Sequence, residues 1–314
     1  SLFTYLAFFT SNGYTDFRKR ESQNREDPMK QLIQVPNSGI TAAYKDNASR
    51  PMDMQHSHEA CEIMFFVSVN AVFFIKDTRY EVHEGDVIFI NEYDIHKLIY
   101  QDAAVSYQRY LIHFKKNDIL PTLKAAHSDQ LLDSLKHAPC PLASTTIKER
   151  MELESLFHAM VSAKNPCNDS LQPSLKEAAQ KSYLTLLLIR IWQLIHGQEP
   201  SRFPQKKDQL VQEIIQFIDG NYGNSIRLDI LENWFHMDRF HICRVFRQVT
   251  GFSVMEYVQH RRIIEAQKML KKTPIPIIQI CFDCGFHNIQ HFYRVFRKIT
   301  GMTPDRYRKQ YRSG

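Results

Sequence analysis

Two segments near the C-terminus repeat a pattern of basic and apolar residues at an interval of 50 positions. Residues 244–257 align with residues 294–307, and seven of the fourteen aligned positions are identical. Read as helices, both copies place apolar residues on one face and basic or polar residues on the opposite face. An arginine guanidinium can donate two hydrogen bonds to guanine, and a glutamine amide can pair with adenine in a similar way. The repeat therefore predicts two similar helices that read DNA bases.

The first turns of these two helices carry the side chains that could contact bases, because a recognition helix meets the base edges near its N-terminus. The predicted base contacts are Arg239, Phe240, Cys243 and Arg244 in the first copy and Gln290, His291 and Arg294 in the second. For Phe240, contact with a thymine methyl group and packing on its own turn are both open. Residues further along each helix are predicted to bind phosphate, which positions the protein without specifying a sequence. They are Arg247, Arg297 and Lys298.

A second group of chemically capable residues lies in the N-terminal half, where a His-x-His-x3-Glu run is followed by a distant histidine. Its members are His56, His58, Glu62 and His96. Imidazole and carboxylate groups in this pattern can form a facial set of ligands for Fe, Mn or Zn. The same groups can also line a pocket for a small organic effector. We expect an effector pocket or a structural role, without metal or other cofactor, and keep a metal site and catalysis as alternatives.

Hydrophobic periodicity divides the chain into parts that would position these residues. Short apolar or alternating runs separated by tight turns predict a small β-barrel or sandwich over residues 29–120. Helical periodicity follows in residues 121–200, and its long second helix is apolar on several faces. This predicts dimerisation through the helical segment, with packing on the β domain of the same chain as the alternative. Residues 1–28 are expected to be an extension outside the fold.

The last part, residues 201–314, is predicted to be entirely helical. Short helix, tight turn and longer helix occur twice, at about residues 225–250 and 276–300, which is the helix-turn-helix plan. Asp238 and Asn288 are the expected N-caps of the two recognition helices. The predicted fold class is therefore multidomain α+β.

Charge and cysteine content agree with this division. Residues 205–314 contain 18 Lys and Arg against 10 Asp and Glu, a net charge of +8, whereas the whole chain carries +6. A basic C-terminal third is expected of a domain that binds phosphate. The six cysteines form no disulfide framework, and Cys281 and Cys284 are interpreted as small core residues, which suits a reducing cytosol. No apolar run reaches the roughly 18 residues needed to span a bilayer, so no membrane partner is expected.

Residues 208–312 resemble the DNA-binding domain of AraC/XylS-type bacterial transcription regulators. The resemblance rests on the tail that runs from Ile280 through Cys-Phe-Asp-Cys-Gly-Phe286 and on to Phe292-Tyr-Arg-Val-Phe-Arg-Lys-Ile-Thr-Gly-Met-Thr-Pro-Asp-Arg-Tyr307. It implies two helix-turn-helix units joined by a long helix and bound to successive major-groove segments on one face of DNA. The first unit departs from the family pattern because His236 stands where glycine is usual. If that position is left-handed, histidine costs about 1 kcal/mol there.

Residues 52–114 resemble the cupin-like sensor domain that such regulators often carry, on the strength of His56-Ser-His58-Glu-Ala-Cys-Glu62, Glu84-Gly85-Asp86 and Asp94-Ile-His96. Together the two resemblances imply a cytoplasmic transcription regulator, more in keeping with an activator than a repressor, and not an enzyme. The implied partners are double-stranded DNA, a small-molecule effector for which a sugar is one candidate, a second copy of the chain, and RNA polymerase. The alternative is a metal-dependent cupin enzyme with an accessory DNA-binding domain. The duplicated recognition helix favours the regulator, because an enzyme does not require it.

Overall fold

Two antiparallel sheets build the N-terminal half of the computed structural model, which describes residues 39–46, 60–100, 107–163, 172–198 and 208–312. The strands are β1 (Thr41–Asp46), β2 (Cys61–Ser68), β3 (Ala71–Ile75), β4 (Thr78–Val82), β5 (Val87–Ile90), β6 (His96–Tyr100), β7 (Gln108–Phe114) and β8 (Leu142–Ala143). One sheet has the order β1-β7-β2-β5-β8, and the other has the order β4-β3-β6. The predicted β domain is present, although β8 lies beyond the range of residues 29–120 expected for it. β8 is only two residues long, and β1 is a strand at the edge of its sheet whose last three residues are exposed.

Four helices cover the outer face of the five-stranded sheet. They are α1 (Lys116–Ala125), α2 (Leu131–Lys136), α3 (Ile147–Ser162) and α4 (Pro173–His196). Successive residues of a strand point to opposite faces, so Ile63 and Phe65 of β2 meet the helices, and Phe157 of α3 stacks on Phe65 with ring centroids 5.4 Å apart. Helical structure begins at Lys116, earlier than the expected start after Pro121. The buried residues Ile119 and Leu123, four positions apart, hold one continuous face on the sheet on either side of the proline.

The long helix α4 buries most of its apolar surface inside the same chain. Its buried residues belong to the same core as β2 and β7: Leu184, Leu187, Leu188, Ile191, Leu194 and Ile195. Packing on the β domain, the alternative to dimerisation, therefore accounts for this face. Other apolar side chains of the helical segment stay exposed, among them Leu186 at 51% and Ile147 at 83%.

Seven helices form the C-terminal half of the described residues. They are α5 (Gln209–Asn221), α6 (Leu228–Phe235), α7 (Arg239–Thr250), α8 (Val254–Lys272), α9 (Ile277–Asp283), α10 (Ile289–Thr300) and α11 (Pro304–Arg312). The pairs α6–α7 and α9–α10 are the two predicted helix-turn-helix units, and α8 joins them. The Asp238 carboxylate accepts hydrogen bonds from the backbone N–H groups of Phe240 and His241, and Asn288 accepts one from His291, which confirms both caps.

The turn of the first unit contains the departure noted in the sequence. His236 ends α6 in the left-handed region, with φ 51° and ψ 38°. A side chain with a Cβ is strained there by about 1 kcal/mol, the penalty foreseen for this position. The unit nevertheless keeps its geometry, because α6 and α7 pack their apolar faces into one core.

The β-barrel and the DNA-binding half share part of a core. Phe74 of β3 and Ile95 lie in one apolar cluster with residues of α5, α7 and α8, and the Phe74 ring is 6.3 Å from that of Phe252. The Lys97 ammonium of β6 donates a 2.7 Å hydrogen bond to the carbonyl of Gly251, at the C-terminus of α7. A cation at this end of a helix opposes the partial negative charge of its free carbonyls. The first recognition helix is thus held directly by the barrel.

No helix in the part of the chain that the structure describes is long and apolar enough to cross a membrane.

Candidate nucleic-acid interface and effector site

Both predicted recognition helices bury the apolar stripe that the repeat indicated. In α7 the buried residues are Ile242, Phe246, Val249 and Thr250, and in α10 they are Phe292, Val295 and Phe296. Each helix contributes to a separate core, one for each unit. Burial of equivalent residues in two cores leaves the opposite faces of α7 and α10 exposed.

The predicted base contacts lie on these outer faces, with two differences in exposure. Arg239, Phe240, Arg244, Gln290 and Arg294 are exposed. Phe240 is 77% exposed, so the structure does not show it packed on its own turn. Contact with a thymine methyl group stays a prediction.

Cys243 and His291 are only half-buried, and each rests partly on the core of its unit. Cys243 packs against the first core, and burial raises the pKa of its thiol. His291 lies with its ring 5.8 Å from that of Phe286. Burial and the nearby Arg294 and Arg262 lower the pKa of His291, so at neutral pH its imidazole is uncharged and can donate one hydrogen bond and accept another.

Two arginines of the first unit have partners within the protein. The Arg239 guanidinium is 2.9 Å from the Glu232 carboxylate, which belongs to α6. An exposed ion pair of this kind contributes little to stability, so Arg239 can exchange it for a DNA partner at small cost. The Arg244 guanidinium is 3.3 Å from Nδ1 of His241, one turn earlier on the same face.

The residues predicted to bind phosphate lie in the last turns of the two helices. Arg247, Arg297 and Lys298 are all exposed. This is the end of each recognition helix away from the predicted base contacts, and it agrees with their expected positioning role.

A buried arginine, which the sequence pattern did not single out, joins the two units. Arg262 of α8 donates hydrogen bonds of 2.8 Å to the carbonyls of Tyr222 and Asn224, and its guanidinium lies over the Phe286 ring. It therefore ties the loop between α5 and α6 to the turn of the second unit. The position of Arg262 on the buried side of α8 is a signal that the sequence contains. Its acceptors, Tyr222 and Asn224, are 40 and 38 residues away along the chain, so the sequence pattern does not indicate them.

Glu62 is the centre of a buried polar cluster between the two sheets of the barrel. Its Oε2 lies 3.4 Å from Nε2 of His96 on the opposite sheet and 3.4 Å from Nε2 of His113 on the neighbouring strand. The first pairing agrees with the predicted site. His113 was missed, although it stands directly opposite Glu62 in the register of β2 and β7. His113 follows Arg109 and Leu111 at every second position of β7, and this spacing was the signal available in the sequence. The register that places His113 opposite Glu62 is a tertiary property.

The surroundings of His96 orient its ring. Its Nδ1 lies 2.8 Å from the Asp94 carbonyl, and the Phe73 ring stacks on the imidazole at 6.0 Å. A proton on Nδ1 donated to that carbonyl leaves Nε2 facing the Glu62 carboxylate. Burial lowers the pKa of His96, but the hydrogen bonds and charges of Glu62 and Asp94 together outweigh burial, so the net pKa is raised.

The remaining predicted pocket residues, His56 and His58, lie outside the described residues. The cationic residue Arg109 is also buried, at only 1% exposed, and its guanidinium carbon lies 4.3 Å from the centroid of the Tyr107 ring. No group of three His, Cys, Asp or Glu side chains within the described ranges is arranged to hold a metal ion. The cluster can instead donate and accept hydrogen bonds toward a polar organic molecule.

Two family models match the chain. Residues 39–166 match the AraC-like ligand binding domain, and residues 232–310 match a helix-turn-helix domain. The first match covers the barrel with α1, α2 and α3, and the second covers both recognition helices.

Curated relatives resemble the chain over one or both halves. The HTH-type transcriptional activator AarP of Providencia stuartii is 34% identical over 33% of the chain and 77% of its own length. The HTH-type transcriptional regulator YdiP of Escherichia coli K12 is 25% identical over 82% of the chain and 81% of its own length. The HTH-type transcriptional activator RhaR of Salmonella dublin is 23% identical over 82% of the chain and 88% of its own length.

Proposed function

The chain belongs to the AraC family of helix-turn-helix transcription regulators, and on that premise we propose that it activates transcription when its barrel binds a small-molecule effector. It combines a ligand-binding domain with a DNA-binding domain and is a regulator rather than an enzyme. Activation is proposed because AarP and RhaR are named transcriptional activators. An activator of this kind would act in the cytoplasm and contact RNA polymerase at the promoter.

The observation that carries the DNA-binding proposal is the pair of equivalent exposed faces on α7 and α10. Arg239, Phe240, Cys243, Arg244, Gln290, His291 and Arg294 are proposed to contact bases, and Arg247, Arg297 and Lys298 to contact phosphates. Two helices with this division could read two segments of one site, since base edges specify and phosphates position.

Replacing Arg294 with alanine should weaken binding to the preferred DNA site by about 1–3 kcal/mol, with a smaller loss on unrelated DNA. The reason is that a bidentate contact to guanine is available only where that base is present. The site is first selected from random DNA with the full chain, and affinities are then measured by fluorescence anisotropy.

Lys298→Ala is the matched control, because Lys298 lies one turn further along the same exposed face. It should weaken binding to all sequences about equally and make the slope of log K against log[salt] shallower by about one. Equal losses on every sequence for Arg294→Ala would reassign Arg294 to phosphate contact. An affinity that hardly changes with salt would refute DNA binding through these helices.

The effector is proposed to bind in the barrel at the buried polar cluster. Glu62 and His96 supply the contacts, together with His56 and His58 as predicted partners. The supporting observation is that a carboxylate and two imidazoles converge between the two sheets. Hydroxyl groups of a sugar or a sugar acid could bond both kinds of group, because each can donate as well as accept.

Glu62→Gln should abolish the stabilisation that the effector confers, because the amide keeps the shape of the side chain but loses its charge. We would screen a panel of sugars and sugar acids by thermal shift with the unmodified chain. Each compound that raises Tm is then tested on the variant. Glu81→Gln, an exposed change on β4, is the matched control and should respond like the unmodified chain. A Tm shift that survives in Glu62→Gln would place the effector elsewhere.

A homodimer through the helical segment is also proposed. Ile147 and Met151 of α3 are 83% and 68% exposed, and Leu186 and Ile189 of α4 are 51% and 37% exposed. Each pair is spaced three or four residues apart and so lies on one side of its helix. Exposed apolar pairs of this kind support contact with a second copy of the chain.

A further inference from the structure

A cleft with a volume of about 970 Å³ lies between the barrel and the DNA-binding half. The barrel side consists of the β3–β4 turn, the loop before β6, the start of α1 and the end of α2. The other side consists of α5 and α8. A volume of this order is typical of sites for small organic ligands. The cleft is separate from the polar cluster between the sheets, because neither Glu62 nor His96 lines it.

Positive charge predominates in the lining of this cleft. Eight Lys and Arg residues face four Asp and Glu residues, which leaves an excess of four positive charges. The cations are Lys76, Lys115, Lys116 and Lys136 on the barrel side, and Arg261, Lys268, Lys271 and Lys272 on α8. The carboxylates are Asp77, Glu92, Asp94 and Asp219. Four cations from each half therefore surround one space.

Most of the carboxylates have a partner next to them and do not reach across the cleft. Lys76 is 3.3 Å from Asp94, and Lys116 is 3.6 Å from Glu92, both within the barrel side. Asp219 is 2.7 Å from Arg261, and both belong to the DNA-binding half. These local pairs compensate one charge each. Glu265, which lies outside the lining, pairs with both Arg261 and Lys268 and offsets one further charge, so positive charge still predominates around the cleft.

The remaining carboxylate, Asp77, is the one that bridges the two halves, and its partner is neutral. Its Oδ2 accepts a 3.1 Å hydrogen bond from the amide of Gln212 on α5. A neutral amide does not offset any of the lysines. Coulomb repulsion between the two cationic sides is therefore not cancelled by this contact.

Two lysines from opposite sides of the cleft converge on one aromatic ring. The ammonium of Lys115, next to the start of α1, lies 4.3 Å from the Tyr311 ring centroid, and that of Lys271 at the end of α8 lies 5.2 Å from it. Lys271 also donates a 3.0 Å hydrogen bond to the hydroxyl of Tyr93, a residue held in the left-handed region at φ 66°. Like charges are held in proximity at this point, and backbone strain lies in the same lining.

We propose that this cleft binds a small organic polyanion bearing phosphate or carboxylate groups, bridging the barrel and the DNA-binding half. Cations from both halves would donate charge-assisted hydrogen bonds to the same molecule, which removes the repulsion between them. Short clusters of Lys and Arg recognise phosphate and carboxylate through such bonds. The first turn of α1 adds to the attraction, because its backbone N–H groups carry partial positive charge.

The test measures binding of inorganic pyrophosphate and of citrate to the full chain by isothermal titration calorimetry at constant ionic strength. One probe presents phosphate and the other carboxylate, so their relative affinities identify the preferred group. We expect saturable binding of at least one of them. Lys136→Gln on the barrel side and Lys272→Gln on α8 should each weaken it by about tenfold, because each removes one charged donor. Both side chains are exposed, so neither change should affect folding.

A double variant of Lys124→Gln and Lys148→Gln is the matched control for loss of charge. Both lysines are exposed and lie outside the cleft, and this variant should bind the probes like the unmodified chain. A second double variant, Arg297→Gln with Lys298→Gln, removes predicted DNA phosphate contacts and should also bind normally.

Three results would overturn the proposal. They are no saturable binding of either probe, an equal loss in the cleft variants and the Lys124/Lys148 control, or a loss confined to the Arg297/Lys298 variant. Weakening by only one of the two cleft substitutions would refute the bridging role. None of these measurements uses DNA or a sugar, so their outcome is independent of the proposed function.

Discussion

Replacing Gly285 with alanine should lower the free energy of unfolding by about 2–5 kcal/mol. Gly285 has a φ of +81°, where a side chain costs about 1–2 kcal/mol. An added Cβ would also lie 2.5 Å from the Tyr222 carbonyl oxygen and 3.0 Å from the Arg262 guanidinium. The carbonyl is backbone and already accepts a hydrogen bond from Arg262, so it cannot move away without breaking the contact between the two units.

Gly301→Ala separates the steric effect from the conformational one. Gly301 has a similar φ of +77°, but no atom lies within 4 Å of an added Cβ. It should therefore lose only the left-handed penalty of about 1–2 kcal/mol. The losses in the free energy of unfolding of the two variants are compared by urea denaturation, monitored by circular dichroism. Equal losses would show that the Tyr222–Arg262 contact relaxes around the methyl group and does not lock the second unit to the first.

Acidification should destabilise the protein through His260 by about 3 kcal/mol between neutral pH and about pH 4. His260 on α8 is 5% exposed and meets the Phe252 ring at 5.5 Å. Burial lowers its pKa from 6.5 to about 4; Glu256 opposes this shift, and the positive charges of Lys298, His96 and Lys97 add to it. The unfolded chain therefore takes up a proton below pH 6.5 that the folded chain does not. The stability contribution is present above pH 6.5 and is lost as pH falls toward about 4.

His96 has the opposite dependence and offsets part of this loss. Its pKa is raised because the attractions of Glu62 and Asp94 together outweigh burial. A raised histidine pKa contributes stability that is fully present below the unfolded value of 6.5 and is lost as pH rises through the folded value. Removal of one histidine at a time is needed to separate the two contributions.

The measurement is the free energy of unfolding at several pH values for the unmodified chain, His260→Phe and His287→Phe. Phenylalanine keeps an aromatic ring against Phe252 and does not titrate, so the acid loss should shrink by about 3 kcal/mol in His260→Phe. His287 is exposed in the turn of the second unit, so His287→Phe is the matched control for replacing a histidine by phenylalanine. If His260→Phe kept the full acid loss, the proton uptake would belong to other groups.

Local patterns in the sequence were sufficient for the DNA-binding half. The apolar stripe of α7 and its Asp238 cap depend on contacts within a few positions, so composition and periodicity reveal them. The left-handed residue at 236 was expected from the family resemblance. The helices α6, α7 and α10 lie within the two segments, at about residues 225–250 and 276–300, where the sequence predicts the helix-turn-helix units. The final helix α11 lies beyond the two predicted units. Its exposed residues are mainly charged, and only a few of its side chains, such as Tyr307, reach the core.

Pairings between distant residues were out of reach of the same reasoning. Glu62 and His96 were recognised as a possible set, but His113 joins them only through the register of β2 and β7. A shift of one residue in that register would turn His113 away from Glu62, and nothing in the local sequence specifies it.

The sequence by itself determined which segments are helices or strands, which faces are apolar, and that two similar helices present basic side chains. Tertiary structure alone decided how these parts meet. It placed Arg262 and Gly285 at the junction of the two units, rested the end of α7 on Lys97 of the barrel, and brought eight cations from two domains around one cleft. The physical reason is that helix periods and caps arise from neighbours along the chain. The energy of a charge depends instead on every group within several ångströms, whatever its position in sequence.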